Sequence, residues 1–370
     1  MKSYPLKSVP VFKTRIWGGR RLKEVFGKPL PPGEKIGESW EIADLPEGKS
    51  TIGNGPLRGQ TLGEVVRRHP EEIMGKYDLR SLIFDLTSAP EDPLRINNQT
   101  SNLELHTSHF EFPLLIKFLD AEEVLSVQVH PDPETCRRMG KGDPKTECWY
   151  IIQAEPGAVI YKGFKKGVTR EQFARAIQEG TVAELLAAVP VKPGECHFIP
   201  AGTVHSLGAG LLIAEIQTPS DTTYRAFDWG RVDETGRPRP LHLQEALESI
   251  HFDITPDKLP ATTCDRLVDC EYFKVDKGVG WPVPTIPSHP GEKVGTAHPT
   301  ATTHEENTHA TLSLMQGQMR ILVFLTGKGS IVSGAVEPVE FRAGDCVLIP
   351  AAFEGAVRFA QETEYLTVTL

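Results

Sequence analysis

The run LLIKFLDAEEVLSVQVHPD, Leu114 to Asp132, sets the strongest constraint on the chain. It is apolar and rich in β-formers, and it carries Gln128 and His130 two residues apart. Residues i and i+2 of a strand point to the same face, so an amide oxygen and an imidazole nitrogen can converge on one point. Glu147 follows in KTECWYII, at the start of another strand-like run, and His205 follows in PGECHFIPAGTVHSL. A carboxylate, two imidazoles and an amide oxygen form a mixed nitrogen and oxygen donor set, which suits zinc or another divalent first-row metal.

A second pattern surrounds His205: Gly194, five residues, Pro200, one residue, Gly202, two residues, then the histidine. The first glycine turns the chain into a strand. Pro200 and Gly202 shape the turn out of it and deliver the histidine from the next strand. The segment Ala343–Gly355, AGDCVLIPAAFEG, aligns without gaps on Pro193–His205, with Gly355 where His205 sits. This echo predicts a second lobe of the same kind without the metal ligand.

The 30 prolines and 33 glycines are spread along the chain and mark turns between short strands, so the expected class is mainly β. A length of 370 residues is large for one core. Two lobes are expected, 1–255 and 256–370, with a polar, proline-bearing linker near Phe252 to Cys264. Ile36, Trp40 and Ile42 alternate with polar residues as in a strand. Thr61 to Met74 reads as a helix capped by Thr61. A helical insertion is expected over about 168–190, with Thr169 and Gln172 at capping-box spacing. Phe173, Ala176 and Ile177 form its first apolar stripe, and Leu185, Leu186 and Val189 its second.

Formal net charge is -9 and the sequence pI is about 5.8, which argues against a nucleic-acid surface and gives no anionic-membrane signal. No apolar run reaches the length of a membrane-spanning helix, and no charged-then-apolar leader follows Met1. The six cysteines show neither zinc-finger spacing nor the density of a disulfide scaffold. The expectation is a reduced, cytoplasmic protein with no obligatory protein partner.

The Q-x-H pair, the glutamate and the G-x5-P-x-G-x2-H string resemble the two halves of the cupin metal motif, with Gln128 standing where its first histidine usually falls. LLIKFLDAEEVLSVQVHPD, KTECWYI, IPAGTVHSL and EIQTPSDTTYRAFDWGR together resemble the type I mannose-6-phosphate isomerase (phosphomannose isomerase) family in its shorter bacterial form. The resemblance runs from Pro5 to Asp253 and continues more weakly beyond. It implies two cupin-like β-barrel lobes with a small helical insertion, and one Zn2+ per chain on Gln128, His130, Glu147 and His205. It implies a sugar phosphate as substrate, with mannose 6-phosphate and fructose 6-phosphate interconverted through an enediol. It places catalytic roles at Glu215 and Arg225, and basic pocket positions at Lys145 and Lys117 with Ser126 beside them. The stretch 88–109 is longer than the family pattern, and Ser206 stands where many relatives have alanine.

Moving a proton between C1 and C2 requires a base, a stabiliser for the enediolate oxygen and an anion site. The strand LLIAEIQTPSD puts Ile213, Glu215 and Gln217 on one face. Burial in that apolar run raises a carboxylate pKa and favours Glu215 as the base, with Lys145 next in line. Arg225 is always charged and suits an enediolate or a phosphate. Trp17, beside Gly18 and Gly19, suits the wall of a cleft. Competing readings pair Glu215 with Arg225 as a structural ion pair, or let Lys117 reach water from a strand end. A metal cupin of another activity, an oxygenase or a sugar-phosphate-binding protein, is the alternative function. The glutamine ligand and the basic residues favour non-redox chemistry on an anionic sugar. His197 and His242 read as structural, and His298, His304 and His309 as part of a solvated polar loop.

Overall fold

The structure is a computed structural model describing residues 3–75, 112–232, 236–282, 308–309 and 311–370. The stretch 88–109 lies outside the described residues, as do the side chains of His298, His304 and His309.

The fold is mainly β, built from stacked antiparallel sheets with jelly-roll character. A six-stranded sheet runs in the order Cys196–Ile199, Glu147–Ala154, Leu211–Gln217, Leu115–Ala121, Val11–Gly19, Ile36–Ile42. Leu115–Ala121 also pairs with Ile36–Ile42; these two strands, Glu147–Ala154 and Leu211–Gln217 bury nearly every side chain, including Glu38, Ser39 and Glu41 of Ile36–Ile42. Facing it is a five-stranded sheet ordered Leu186–Pro190, Val159–Phe164, His205–Leu207, Val127–Val129, Tyr224–Phe227. Side chains directly opposite one another in antiparallel strands share a face, so register alone lines up rows of residues. One row crosses the larger sheet as Trp40, Lys117, Glu215, Trp149 and His197. Another crosses the smaller sheet as Lys162, His205, Gln128 and Arg225.

The C-terminal part has its own pair of sheets. One is four-stranded, in the order Thr311–Leu314, Gly355–Phe359, Lys328–Val332, Val339–Arg342. The other contains Lys274–Gly280, Thr363–Thr369, Arg320–Phe324 and Cys346–Ile349 as successive neighbours. The Leu6–Val9 strand, which falls within 1–255, joins this last sheet by pairing Leu6 with Leu348. Lys28 ties the two parts further: its ammonium lies 2.7 Å from Glu41 Oε1 and donates to the Gly344 carbonyl at 2.9 Å.

Three local readings change. The helix from Thr61 is two short helices, Leu62–Arg68 and Pro70–Met74, because Pro70 cannot continue the first and instead opens the second. Thr61 and Glu64 form a full capping box. The insertion at about 168–190 is helical only over Arg170–Glu179, followed by a short 3-10 turn at Val182–Glu184. Leu186–Pro190 is a strand paired with Val159–Phe164, so the second apolar stripe belongs to a sheet edge. Gly180, at φ 74, ends the helix in a left-handed cap. In the Ile36–Ile42 strand, a register shift between Trp40 and Ile42 sends them to different faces.

Candidate active site

Lys117, Glu215 and Trp149 of the first row and Gln128 and Arg225 of the second line a common cavity of about 340 Å³. Behind its lining residues Gln128 and Lys145, His130, Glu147 and His205 are all buried, with one ligand atom from each within 4.8 Å of the others. Glu147 Oε2 lies 3.4 Å from His130 Nε2, and Oε1 lies 3.5 Å from His205 Nε2. Gln128 places its amide nitrogen 3.2 Å from His205 Nε2 and accepts from the Ser126 hydroxyl at 3.3 Å. A half turn of that amide would exchange its oxygen and nitrogen.

The second contact of each imidazole decides what this group can hold. His130 Nδ1 lies 2.8 Å from the Thr222 carbonyl, and His205 Nδ1 lies 2.8 Å from the Thr203 carbonyl. Carbonyl oxygens only accept, so both rings carry their proton on Nδ1 and present an Nε2 lone pair inward. Burial disfavours the imidazolium in both: it pulls His130 down to about 3, and His205 below its ordinary value. Burial alone would push the Glu147 carboxyl up. The ammonium of Lys145 and the flanking imidazoles outweigh it and hold the group well below its usual range. His130 Nε2 and Glu147 Oε1 are buried without hydrogen-bond partners. Lone pairs converging in a dry site repel unless a cation sits between them, so the donor set fits a divalent metal. The carbonyls on Nδ1 are the outer contacts that fix ring orientation in metal sites.

On the cavity wall, Glu215 is buried with Oε1 3.1 Å from Lys117 Nζ, while Trp149 Nε1 donates to its Oε2 at 3.0 Å. Burial and the nearby Glu147 charge push the Glu215 carboxyl above its ordinary value, against the pull of Lys117 and Lys145. The ion-pair partner of Glu215 is therefore Lys117 and not Arg225. Lys117 is 3 % exposed and lies 5.1 Å from the Trp40 ring centre, so it does not reach out to water. Lys145 Nζ lies 2.9 Å from Glu147 Oε2. Burial disfavours its charge, but the carboxylates of Glu147 and Glu215 outweigh that and hold the ammonium above its ordinary value. Trp17, Ser126 and Arg225 also line the cavity. His197 and His242 do not line it.

Four charged lining residues were missed in sequence: Arg15, Glu38, Asp221 and Arg239. Arg15 Nε donates to Glu38 Oε1 at 2.7 Å, and Trp40 Nε1 donates to Glu38 Oε2 at 2.6 Å. Burial opposes the Glu38 charge, but Lys117 and Arg15 pull its carboxyl down to about 2. A period-2 reading that counted polar as well as apolar residues would have found Glu38, which lies two before Trp40.

A mainly β fold with a His, Glu, His group and a glutamine between two sheets defines a metal-type cupin. Residues 85–148 match the family described as phosphomannose isomerase type I, catalytic domain. The chain is 34% identical over 360 residues to the mannose-6-phosphate isomerase ManA of Bacillus subtilis, covering 95% of this chain and 94% of that protein. It is 36% identical over 247 residues to the mannose-6-phosphate isomerase of Streptococcus mutans, covering 67% and 68%. The crystal structure of the mannose 6-phosphate isomerase from Bacillus subtilis superposes with a TM-score of 0.74 at 27% identity, covering 100% of both chains. A zinc-bound mannose 6-phosphate isomerase shares the fold at a TM-score of 0.67 and 14% identity, covering 99% of this chain and 100% of that one. The chain belongs to the type I mannose-6-phosphate isomerase family.

Proposed function

We propose that the protein is a metal-dependent aldose–ketose isomerase acting on mannose 6-phosphate and fructose 6-phosphate. The observation that carries this reading is the buried convergence of His130, Glu147 and His205 next to a cavity that the Glu215 and Lys117 pair lines. Gln128, His130, Glu147 and His205 would hold the ion, which we take to be zinc, one per chain, as in the zinc-bound relative of the same fold. Bound there, the ion supplies Lewis-acid polarisation and orientation of a sugar oxygen.

The chain's own residues account for the proton transfer. Glu215, raised by burial, takes the proton from one of C1 and C2 and returns it to the other through an enediol. Lys117 at 3.1 Å and the Trp149 N–H at 3.0 Å hold its two oxygens in place and limit how far the pKa rises. Arg225, on the cavity wall, meets negative charge on the substrate. Lys145 enters as a fixed positive charge between Glu147 and Glu215 and not as the base. Leu119, Leu125 and Leu207 supply apolar wall that strengthens these electrostatic contacts. A coupled assay with mannose 6-phosphate, run with and without a chelator and with zinc restored, tests the proposal. Turnover unaffected by complete metal removal would overturn it.

A further inference from the structure

Most cations of the cavity are already committed. Lys117 faces Glu215, Lys145 faces Glu147, and Arg15 faces Glu38. Arg225 differs. Among the described residues it makes no ion pair. Its Nη1 donates to the Pro240 carbonyl at 2.9 Å, and its Nε is buried without a partner. Beside it stands Arg239, also on the cavity wall. Arg239 Nε and Nη2 grip Asp228 at 2.7 and 2.6 Å, a two-pronged contact that leaves Nη1 unspent. Asp228 is shared with Arg231, which also donates to the Val124 carbonyl.

Three guanidiniums thus crowd around one carboxylate. Arg225 loses some of its preference for the charged state through burial, then through the neighbouring charge of Arg239. Asp221, the other rim carboxylate, acts on Arg15 and Lys145. The local excess of positive charge is two, which matches the dianion of a phosphate monoester.

We propose that Arg225 and Arg239 form the anion-binding end of the cavity, with Asp228 as the positioning residue that aims Arg239. The inference rests on the isomerase reading for the identity of the substrate, but not for the anion site itself. It assigns the phosphate of the sugar to the two guanidiniums and leaves Lys117 and Lys145 to the reacting carbons. Guanidiniums suit this role because their planar N–H pairs match phosphate oxygens.

The test compares wild type, Arg239→Gln and Arg239→Lys, each loaded with metal and checked for metal content and thermal unfolding. Inorganic phosphate binding, measured by calorimetry, should weaken about 10–100-fold in Arg239→Gln, the loss expected for one charge-assisted contact. KM for mannose 6-phosphate should rise by a similar factor, and kcat/KM for unphosphorylated mannose should stay within about twofold. Arg239→Lys should recover part of the phosphate affinity. Unchanged phosphate affinity in Arg239→Gln overturns the proposal, as does an equal loss for the phosphorylated and free sugars. If wild type fails to isomerise mannose 6-phosphate, the functional reading falls, and the phosphate titration still decides the anion site.

Discussion

The two pairs of sheets, the two lobes of the proposed division, use one turn for opposite ends. In the first, Gly194 N–H donates to the Ile151 carbonyl, and Ile151 N–H donates to the Glu195 carbonyl. In the second, Gly344 N–H donates to the Phe324 carbonyl, and Phe324 N–H donates to that of Asp345. Both glycines are left-handed, at φ 92 and φ 82, a conformation that costs a side-chain-bearing residue energy. The turn after the strand repeats as well: Thr203 donates to the Pro200 carbonyl and Phe353 to that of Pro350.

Strand register extends the match to each ligand. Glu147 pairs with Ile199, and Arg320 pairs with Ile349. His205 pairs with Gln128, and Gly355 pairs with Leu314. Two residues beyond those partners lie His130 and Gln316. Gln128, His130, Glu147 and His205 therefore correspond to Leu314, Gln316, Arg320 and Gly355. Leu314 and Gly355 carry no donor, Gln316 keeps an amide but is exposed, and the carboxylate has become a cation. The second lobe fills its interior with aromatics instead, including Phe324 stacked on Phe341 with ring centres 3.7 Å apart. One strand-and-turn frame thus supports a polar site or an apolar core, and the two differ at these four positions.

The largest effect should come from making the first lobe resemble the second. His205→Gly removes a ligand and leaves the other three donors converging without a complete shell. Metal affinity should fall by more than the about 10–100-fold that loss of an outer hydrogen bond costs, and turnover with it. Elemental analysis of wild type should give one ion per chain, and the variant far less. Two tightly held ions in wild type would break the contrast between the lobes.

Next is Glu215→Gln, which keeps shape and metal but removes the proposed base. The kcat should drop about 10²–10⁴-fold with metal content unchanged. Turnover in D2O should place some solvent deuterium at C1 or C2 of the product. No label, together with a variant within about threefold of wild type, would move the base elsewhere.

The metal-capable grouping of His130, Glu147 and His205, the turn glycine and the burial of Glu215 were legible because each is a local pattern: i, i+2 on a strand, a glycine before a strand, a carboxylate in an apolar run. Arg15, Glu38 and Arg239 were not, because cross-strand register and a returning loop place them. The ion-pair choice of Lys117 was open for the same reason. Sequence alternation fixed its face, but only pairing of Leu115–Ala121 with Leu211–Gln217 sets it opposite Glu215. The misread at Leu186–Pro190 has a different cause. Leu, Ala and Val suit helix or edge strand over so short a run, and a neighbouring strand decided it.

Acid should expose the charge network of the first lobe. Glu38 has its pKa lowered from 4.5 to about 2, so the unfolded state binds its proton first as pH falls. Its stabilisation is full above about pH 4.5 and is lost as pH falls towards 2. Glu147 is shifted in the same direction. Glu38→Gln should lower the urea midpoint at pH 7, because Arg15 and Lys117 lose a buried partner, and should flatten the decline between pH 4.5 and 3. An unchanged midpoint with an unchanged slope would show that solvent already screens the pair.

The smallest effect lies at Arg320, the cation standing where the first lobe has Glu147. Its Nε is buried without a partner, and burial lowers its preference for the charged form. Among the described residues no carboxylate pairs with it. Arg320→Met keeps the aliphatic stem and removes the unsatisfied donor, so stability should rise by about 1 kcal/mol. Metal content and kcat/KM for mannose 6-phosphate should not move, since the residue lies away from the cavity between the first pair of sheets. The urea midpoint reads the first change and the coupled assay the second. A clear loss of stability would mean that Arg320 carries a structural load of its own, and that the second lobe replaced the ligands with a new polar role and not simply with apolar filling.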